Sequence, residues 1–188
     1  IGVKERRWAD RLQLNMTYSH EYQQIQNGVR QEIVYGQKHR KGYVLMPRLT
    51  YAKHHFLTDG LQVSADVAYS RNVSYNVDTT AYKYNWYGQR IRTGSMGEQS
   101  YQNTESVTAI WTARLAAKYQ WARQHLLTAN YSFNNFDRKN RSYLQSSSRI
   151  TDFSIPKKTT KHIAGLSYHF TPSRLWNIVA FGKYYREN

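Results

Sequence analysis

From residue 107 to residue 121 the chain alternates without a break. Val107, Ala109, Trp111, Ala113, Leu115, Ala117, Tyr119 and Trp121 fall on one side, and Thr108, Thr112, Arg114, Lys118 and Gln120 on the other. A period of two places successive side chains on opposite faces of a pleated strand, and the run is far longer than the roughly 5–6 residues of an ordinary globular strand. The same alternation recurs over 12–22, 43–53, 61–75, 126–136, 161–170 and 175–185, and no sustained 3.6-residue period competes with it. The expected fold is therefore all-β, an antiparallel meander of seven strands. In the last strand the phase is open, because Trp176 and Ile178 compete with Val179 and Phe181 for the apolar side.

The composition bears on what the apolar sides face. Only 40% of the residues are hydrophobic, mean hydropathy is −0.80, and 17 Tyr outnumber 6 Phe. Tyr in excess suits surfaces that are apolar at one level and wet at another. The stretch LQVSADVAYS sets Leu61, Val63, Ala65, Val67 and Tyr69 against a side that holds Asp66. Strands of about 10 to 15 residues are long enough to cross a bilayer, which takes about 9–11 tilted residues. No apolar run is long enough for a transmembrane helix.

Connections expected over 23–42, 76–106 and 138–160 are long, and those over 54–60, 123–125 and 171–174 are short, so all long loops fall at one end. Outer-membrane barrels sort their loops in this way. Tyr51, Tyr119, Trp121, Phe170 and Trp176 then lie near the short turns, and Tyr18, Tyr43, Tyr75, Trp111 and Phe133 toward the long loops, with Leu, Val and Ala between. Two aromatic girdles around an aliphatic band fit a membrane with two interfaces. Strand-end aromatics in a soluble β-sandwich core are the competing account.

The net charge is +15 and the pI about 10.0. Arg138, Lys139, Arg141, Arg149, Lys157, Lys158 and Lys161 stand against Asp152 alone in one expected long loop, and Arg30, Lys38, Arg40 and Lys41 against Glu32 in another. Placed there, the cations would attract lipopolysaccharide phosphates or an anionic ligand rather than nucleic acid, or simply form a solvated loop. The loop 76–106 is nearly neutral and aromatic; Tyr82, Tyr84, Trp86, Tyr87 and Tyr101 are its candidates for substrate contact, since rings stack on apolar faces while neighbouring amides hydrogen-bond, and a loop that only folds over its neighbours is the competing account. If Ala52 pairs with Gln62, Arg48 and Asp66 come together on the polar side as a lumen pair. There is no Cys, the seven His have no ligand spacing, and no nucleophile elbow or phosphate loop occurs. Neither catalysis, a metal nor a cofactor is expected.

The segments PRLTYAKHHFLTDGLQVSADVAYSRNVSYNVDTTAYKYNWYG (47–88) and FTPSRLWNIVAFGKYYREN (170–188) resemble the barrel of a TonB-dependent outer-membrane receptor, of the branch whose plug follows a carboxypeptidase-regulatory-like domain. The resemblance covers most of the chain. It implies a transmembrane barrel of about 22 strands, of which 1–188 would be an internal part without the plug. It further implies nutrient uptake in the bacterial outer membrane, powered by a TonB complex reached through parts outside this chain, with a surface lipoprotein as partner and a nutrient ligand of unspecified class. A complete small outer-membrane barrel with an adhesion or structural role, its eighth strand near Ile33 to Tyr35, is the first alternative. A soluble basic β-protein that binds nucleic acid or polysaccharide is the second. The opening at Ile1, without a signal segment, is expected of a mature form or of a piece of a larger protein.

Overall fold

The computed structural model describes residues 1–28, 34–143, 150–151 and 157–188. Its strands in chain order are β1 (Gly2–Arg6), β2 (Ala9–Gln24), β3 (His39–Lys53), β4 (Leu61–Asp78), β5 (Tyr82–Tyr84), β6 (Arg90–Arg92), β7 (Gln102–Ala122), β8 (His125–Tyr143), β9 (Ile150–Thr151), β10 (Lys157–Ser173) and β11 (Trp176–Glu187). One antiparallel sheet runs β1-β2-β3-β4-β7-β8-β10-β11, with β9 paired to β8, and β5 and β6 form a separate hairpin. No helix is present among the described residues.

All seven expected strands are present as β2, β3, β4, β7, β8, β10 and β11, each longer than the alternation alone marked. The sheet has eight strands in its path rather than seven. The addition is β1, whose GVKER has no apolar alternation to betray it; it joins by folding back on β2 through Arg7 and Trp8. The alternative eighth strand near Ile33 to Tyr35 is absent at the described residues of that range, Val34 and Tyr35. Ile33 is outside the described residues, and Val34 makes only single bridges, to Asn27 and Tyr84.

The loop expected over 138–160 is strand at its described residues, because β8 continues to Tyr143, β9 covers Ile150–Thr151 and β10 begins at Lys157. Charged side chains cost nothing on a strand whose faces are wet, so charge concealed the extension. Ala52 pairs with Ser64, two residues beyond the expected Gln62. In β11 the phase is settled by Phe170↔Ile178 and Leu166↔Gly182, which put Trp176 and Ile178 on the apolar side and Val179 and Phe181 on the other.

Register carries one apolar face across the whole sheet. Leu14 meets Leu49, Leu49 meets Val67, Val67 meets Ala113, Ala113 meets Phe133, and Leu115 meets Tyr131, which meets Ala164. Nothing among the described residues covers it. Leu14, Met16, Leu49, Trp111, Leu115, Leu166 and Ile178 are all exposed, and the buried hydrophobic residues among those described are Ala9, Tyr35 and Val73. The accessible surface of 14090 Å² exceeds the roughly 9,400 Å² expected of a compact protein of this mass by about half. This is a single layer, with no second layer to form a core.

Aromatic side chains gather at both ends of that face. Toward the short turns Trp121, His125, Tyr168 and Phe170 stack, with Trp121 and Tyr168 nearly parallel at 5.9 Å. Toward the long loops Tyr69 lies 4.7 Å from Trp111, and Tyr18 6.4 Å from Tyr43. The opposite, polar face is concave: Arg11, Thr50, Asp66, Arg114, Ser132, Gly165 and Lys183, drawn from β2 to β11, line one hollow of about 680 Å³. The sheet does not close, since β1 and β11 do not touch.

Short connections hold the other end. Asp10 accepts from Lys53 Nζ at 2.6 Å and from the His54 N–H at 2.6 Å, and these bonds hold its carboxyl well below the usual carboxylate range. Gly60 has φ +82, its carbonyl accepts from the Gln120 N–H at 3.0 Å, and a Cβ there would stand 2.1 Å from the Gln120 oxygen. Gly88, at φ +76, has nothing within 4 Å of that position. Left-handed backbone costs a side chain about 1–2 kcal/mol. Gly88→Ala should lose no more than this in a urea titration, and Gly60→Ala clearly more, because the hairpin β3-β4 must shift off β7. Equal losses would mean that the contact at Gly60 is not a constraint.

Candidate functional site

The long-loop end is organised by two buried carboxylates. Asp78 closes β4, and the tight turn after Gly97 (φ +96) wraps around it. Its Oδ1 accepts from the Glu98 N–H at 2.5 Å, and its Oδ2 from the Gln99 and Ser100 N–H groups at 3.0 and 3.3 Å. Glu98 in turn reaches the other loop, accepting from the consecutive N–H groups of Gly36, Gln37 and Lys38 at 2.5, 3.0 and 2.6 Å. Lys38 completes the cluster: its Nζ lies 3.7 Å from Asp78, donates to Gln99 Oε1, and sits 5.0 Å over the Tyr35 ring. Both carboxylates are only 1% exposed. A buried carboxylate is tolerable when its oxygens are fully engaged, as these are.

A second contact joins the same loops. The Val34 N–H donates to the Tyr84 carbonyl at 3.1 Å, and a Cβ on Gly36 would stand 2.8 Å from the Tyr84 ring, so only glycine allows this approach. The hairpin β5-β6 is thereby fixed upon the loop that follows β2. At its tip Asn85 Oδ1 accepts from the Tyr87 and Gln89 N–H groups, both at 3.0 Å, while Asn85 Nδ2 donates to Gln89 Oε1. The turn so built holds out Trp86 (60% exposed) and Tyr87 (91%), with Ile91 exposed nearby.

The five aromatic candidates therefore divide. Trp86 and Tyr87 are presented to solvent, whereas Tyr82 is half-buried beneath the Arg90 guanidinium at 4.8 Å and Tyr84 packs under Gly36. Tyr101 is also half-buried, its hydroxyl donating to the Tyr143 carbonyl at 2.9 Å. Beside it, Glu105 accepts from Tyr75 at 3.1 Å and Tyr143 at 3.0 Å, with Arg141 at 3.8 Å.

Strand pleating also splits the basic candidates. Arg138 and Lys157 are directly paired on the polar face, while Lys139, Arg141 and Lys158 stand on the apolar one, opposite Val107, Glu105 and Asp137. Arg149 lies outside the described residues. On the polar face Arg48 Nε donates to Asp66 Oδ2 at 2.8 Å and Thr50 Oγ1 donates to the same oxygen at 3.0 Å. The lumen pair forms diagonally, because Thr50 rather than Arg48 is the direct partner of Asp66, and Arg114 faces Asp66 from the other side. Among the described residues no group of three or more His, Cys, Asp or Glu is placed to hold a metal. Compared with protein-family models, curated proteins and solved structures, the chain matches none.

Asp78 and Glu98 were not legible in the sequence. Their partners are backbone N–H groups, which every residue carries, and Gly97 just before Glu98 was the only cue. Glu98→Gln replaces one acceptor oxygen by an NH₂ that faces donors. With hydrogen bonds to a charged group worth about 1.5–3 kcal/mol, opening of the hairpin should become about tenfold to a hundredfold more frequent. Proteolysis within 79–101 under native conditions measures this. An unchanged cleavage rate would show that the loops hold together without the clamp.

Proposed function

We propose that the chain is part of the wall of a TonB-dependent receptor barrel in the bacterial outer membrane, which takes up a nutrient and catalyses no reaction. The observation that carries this reading is the uncovered apolar face, continuous over the seven strands from β2 to β11 in the sheet path and edged by aromatic residues at both ends. Lipid would cover it, and the concave polar face with Asp66, Arg48 and Arg114 would line the lumen. The open edges at β1 and β11 favour a share of a larger barrel over a complete small one. A soluble protein that exposed so much apolar surface would aggregate. The phrases PRLTY, DTTAYKYNW and FGKYY support the receptor family in particular.

On this reading the long loops are extracellular, and the clamped hairpin with Trp86 and Tyr87 is the part placed to meet the nutrient. The TonB complex and a surface lipoprotein would be engaged through other parts of the receptor. Membrane fractionation of the receptor tests the location. Val67→Arg should cost about 2–4 kcal/mol at the bilayer midplane and reduce the amount assembled, whereas Ser64→Arg, which faces the lumen, should assemble normally. Equal tolerance at the two positions would exclude a lipid-facing wall. A Trp86→Ala, Tyr87→Ala double substitution should assemble normally and lower uptake; unimpaired uptake would remove the tip from substrate capture.

A further inference from the structure

We infer that the apolar face carries, at its long-loop rim, a site for the phosphate-bearing headgroup of an anionic membrane lipid. This rests on the membrane reading of that face. The register places Arg71 of β4 opposite Ala109 of β7, and Lys139 of β8 opposite Val107 of β7. Arg71 and Lys139 thus rise at opposite corners of a floor made by Ala109 and Val107, rooted about 12 Å apart, two strand spacings across and two residues along. Immediately below the floor lie Tyr69 and Trp111, 4.7 Å apart, the aromatic step from which the aliphatic band begins.

The arrangement matches the order of groups in a lipid. An acyl chain would lie over Val67 and Ala113, a glycerol or sugar over the aromatic step, and a phosphate between the two cations. Arg offers a planar fork and Lys a point charge, and both bond phosphate by charge-assisted hydrogen bonds. Their charges are available: among the described residues neither Arg71 nor Lys139 forms an ion pair, and both are exposed. Lys158 is likewise exposed, but it stands one strand further from Arg71, beyond Asp137, whose carboxylate pairs across from both Lys158 and Ala109 and borders the site on that side. Arg141 is shared with Glu105 at 3.8 Å. The grip is therefore assigned to Arg71 and Lys139.

The pleat supplies a matched control. Arg138 and Lys157 adjoin Lys139 and Lys158 in sequence but stand on the polar face. The test uses the receptor extracted from its membrane in non-ionic detergent and stripped of lipid. It is titrated with a short-chain phosphatidylglycerol, with phosphatidylcholine of equal chain length as the zwitterionic reference. The native protein should prefer phosphatidylglycerol at least tenfold. Arg71→Ser with Lys139→Ser should abolish the preference, and Arg138→Ser with Lys157→Ser, which removes the same charge, should leave it intact. Equal loss in both double variants, no loss in the first, or full displacement of phosphatidylglycerol by millimolar inorganic phosphate would overturn the lipid site while leaving the barrel reading untouched. Recovery of the protein without detergent, in the water-soluble fraction, would overturn both.

Discussion

The structure depends on a single uninterrupted ladder of backbone hydrogen bonds from β1 to β11. Each strand is antiparallel to the next and joined to it directly or by a hairpin, so every interior strand has both its edges satisfied by sequence neighbours. Little else in the chain holds it together. With Ala9, Tyr35 and Val73 as its buried hydrophobic residues, the sheet has no core to contribute the burial that ordinarily offsets backbone entropy. A one-layer sheet of this extent needs an environment on each face supplied from outside itself. Lipid on one side and a filled or watery interior on the other are what a membrane barrel provides.

The same ladder explains the curvature and its direction. Strand twist rolls a sheet, and the faces here are unequal: Leu, Tyr and Trp stand on the outer side, and smaller Thr, Ser, Ala and Gly recur along the hollow near Asp66 and Gly165. Smaller side chains allow that face to be the concave one. Eight strands have turned far enough for Arg11 and Lys183 to line one hollow, yet β1 and β11 remain apart. Closure at this curvature takes more strands than eight, which is why the open edges weigh toward a large barrel.

Much of this was legible because alternation is a direct print of the pleat. Where one face of a strand is apolar, one residue in two must be apolar, and seven strands disclosed themselves by that requirement alone. β1 did not, because GVKER pairs by its backbone at an edge and has no face to declare. The ends of β8 and β10 were hidden for the related reason that a strand with both faces in water can be charged on both sides. The Arg48–Asp66 contact was found although Ala52 pairs with Ser64. A shift of two residues keeps the same face, and long side chains span the diagonal. The carboxylate clamp was out of reach, since nothing in the identities of Gly36, Gln37 and Lys38 marks three N–H groups as aligned on Glu98.

The pleat also changes what a cluster of charge means. Counted along the chain, Arg138 and Lys139, or Lys157 and Lys158, are a basic patch, and +15 suggests one broad polyanion surface. Placed on strands, each adjacent pair is divided between two environments, one toward the hollow and one toward the outer face. The carboxylates are divided less evenly. Asp78 and Glu98 are spent on backbone N–H groups, and Glu105 is held by Tyr75 and Tyr143, so three acids at this end are committed to structure. What remains exposed there is more cationic than the sequence count implies. An excess that a single-faced surface would direct toward one partner is here divided between the two faces of the sheet, with Arg71 and Lys139 on the apolar face beside an aromatic step and Arg138 and Lys157 on the concave one.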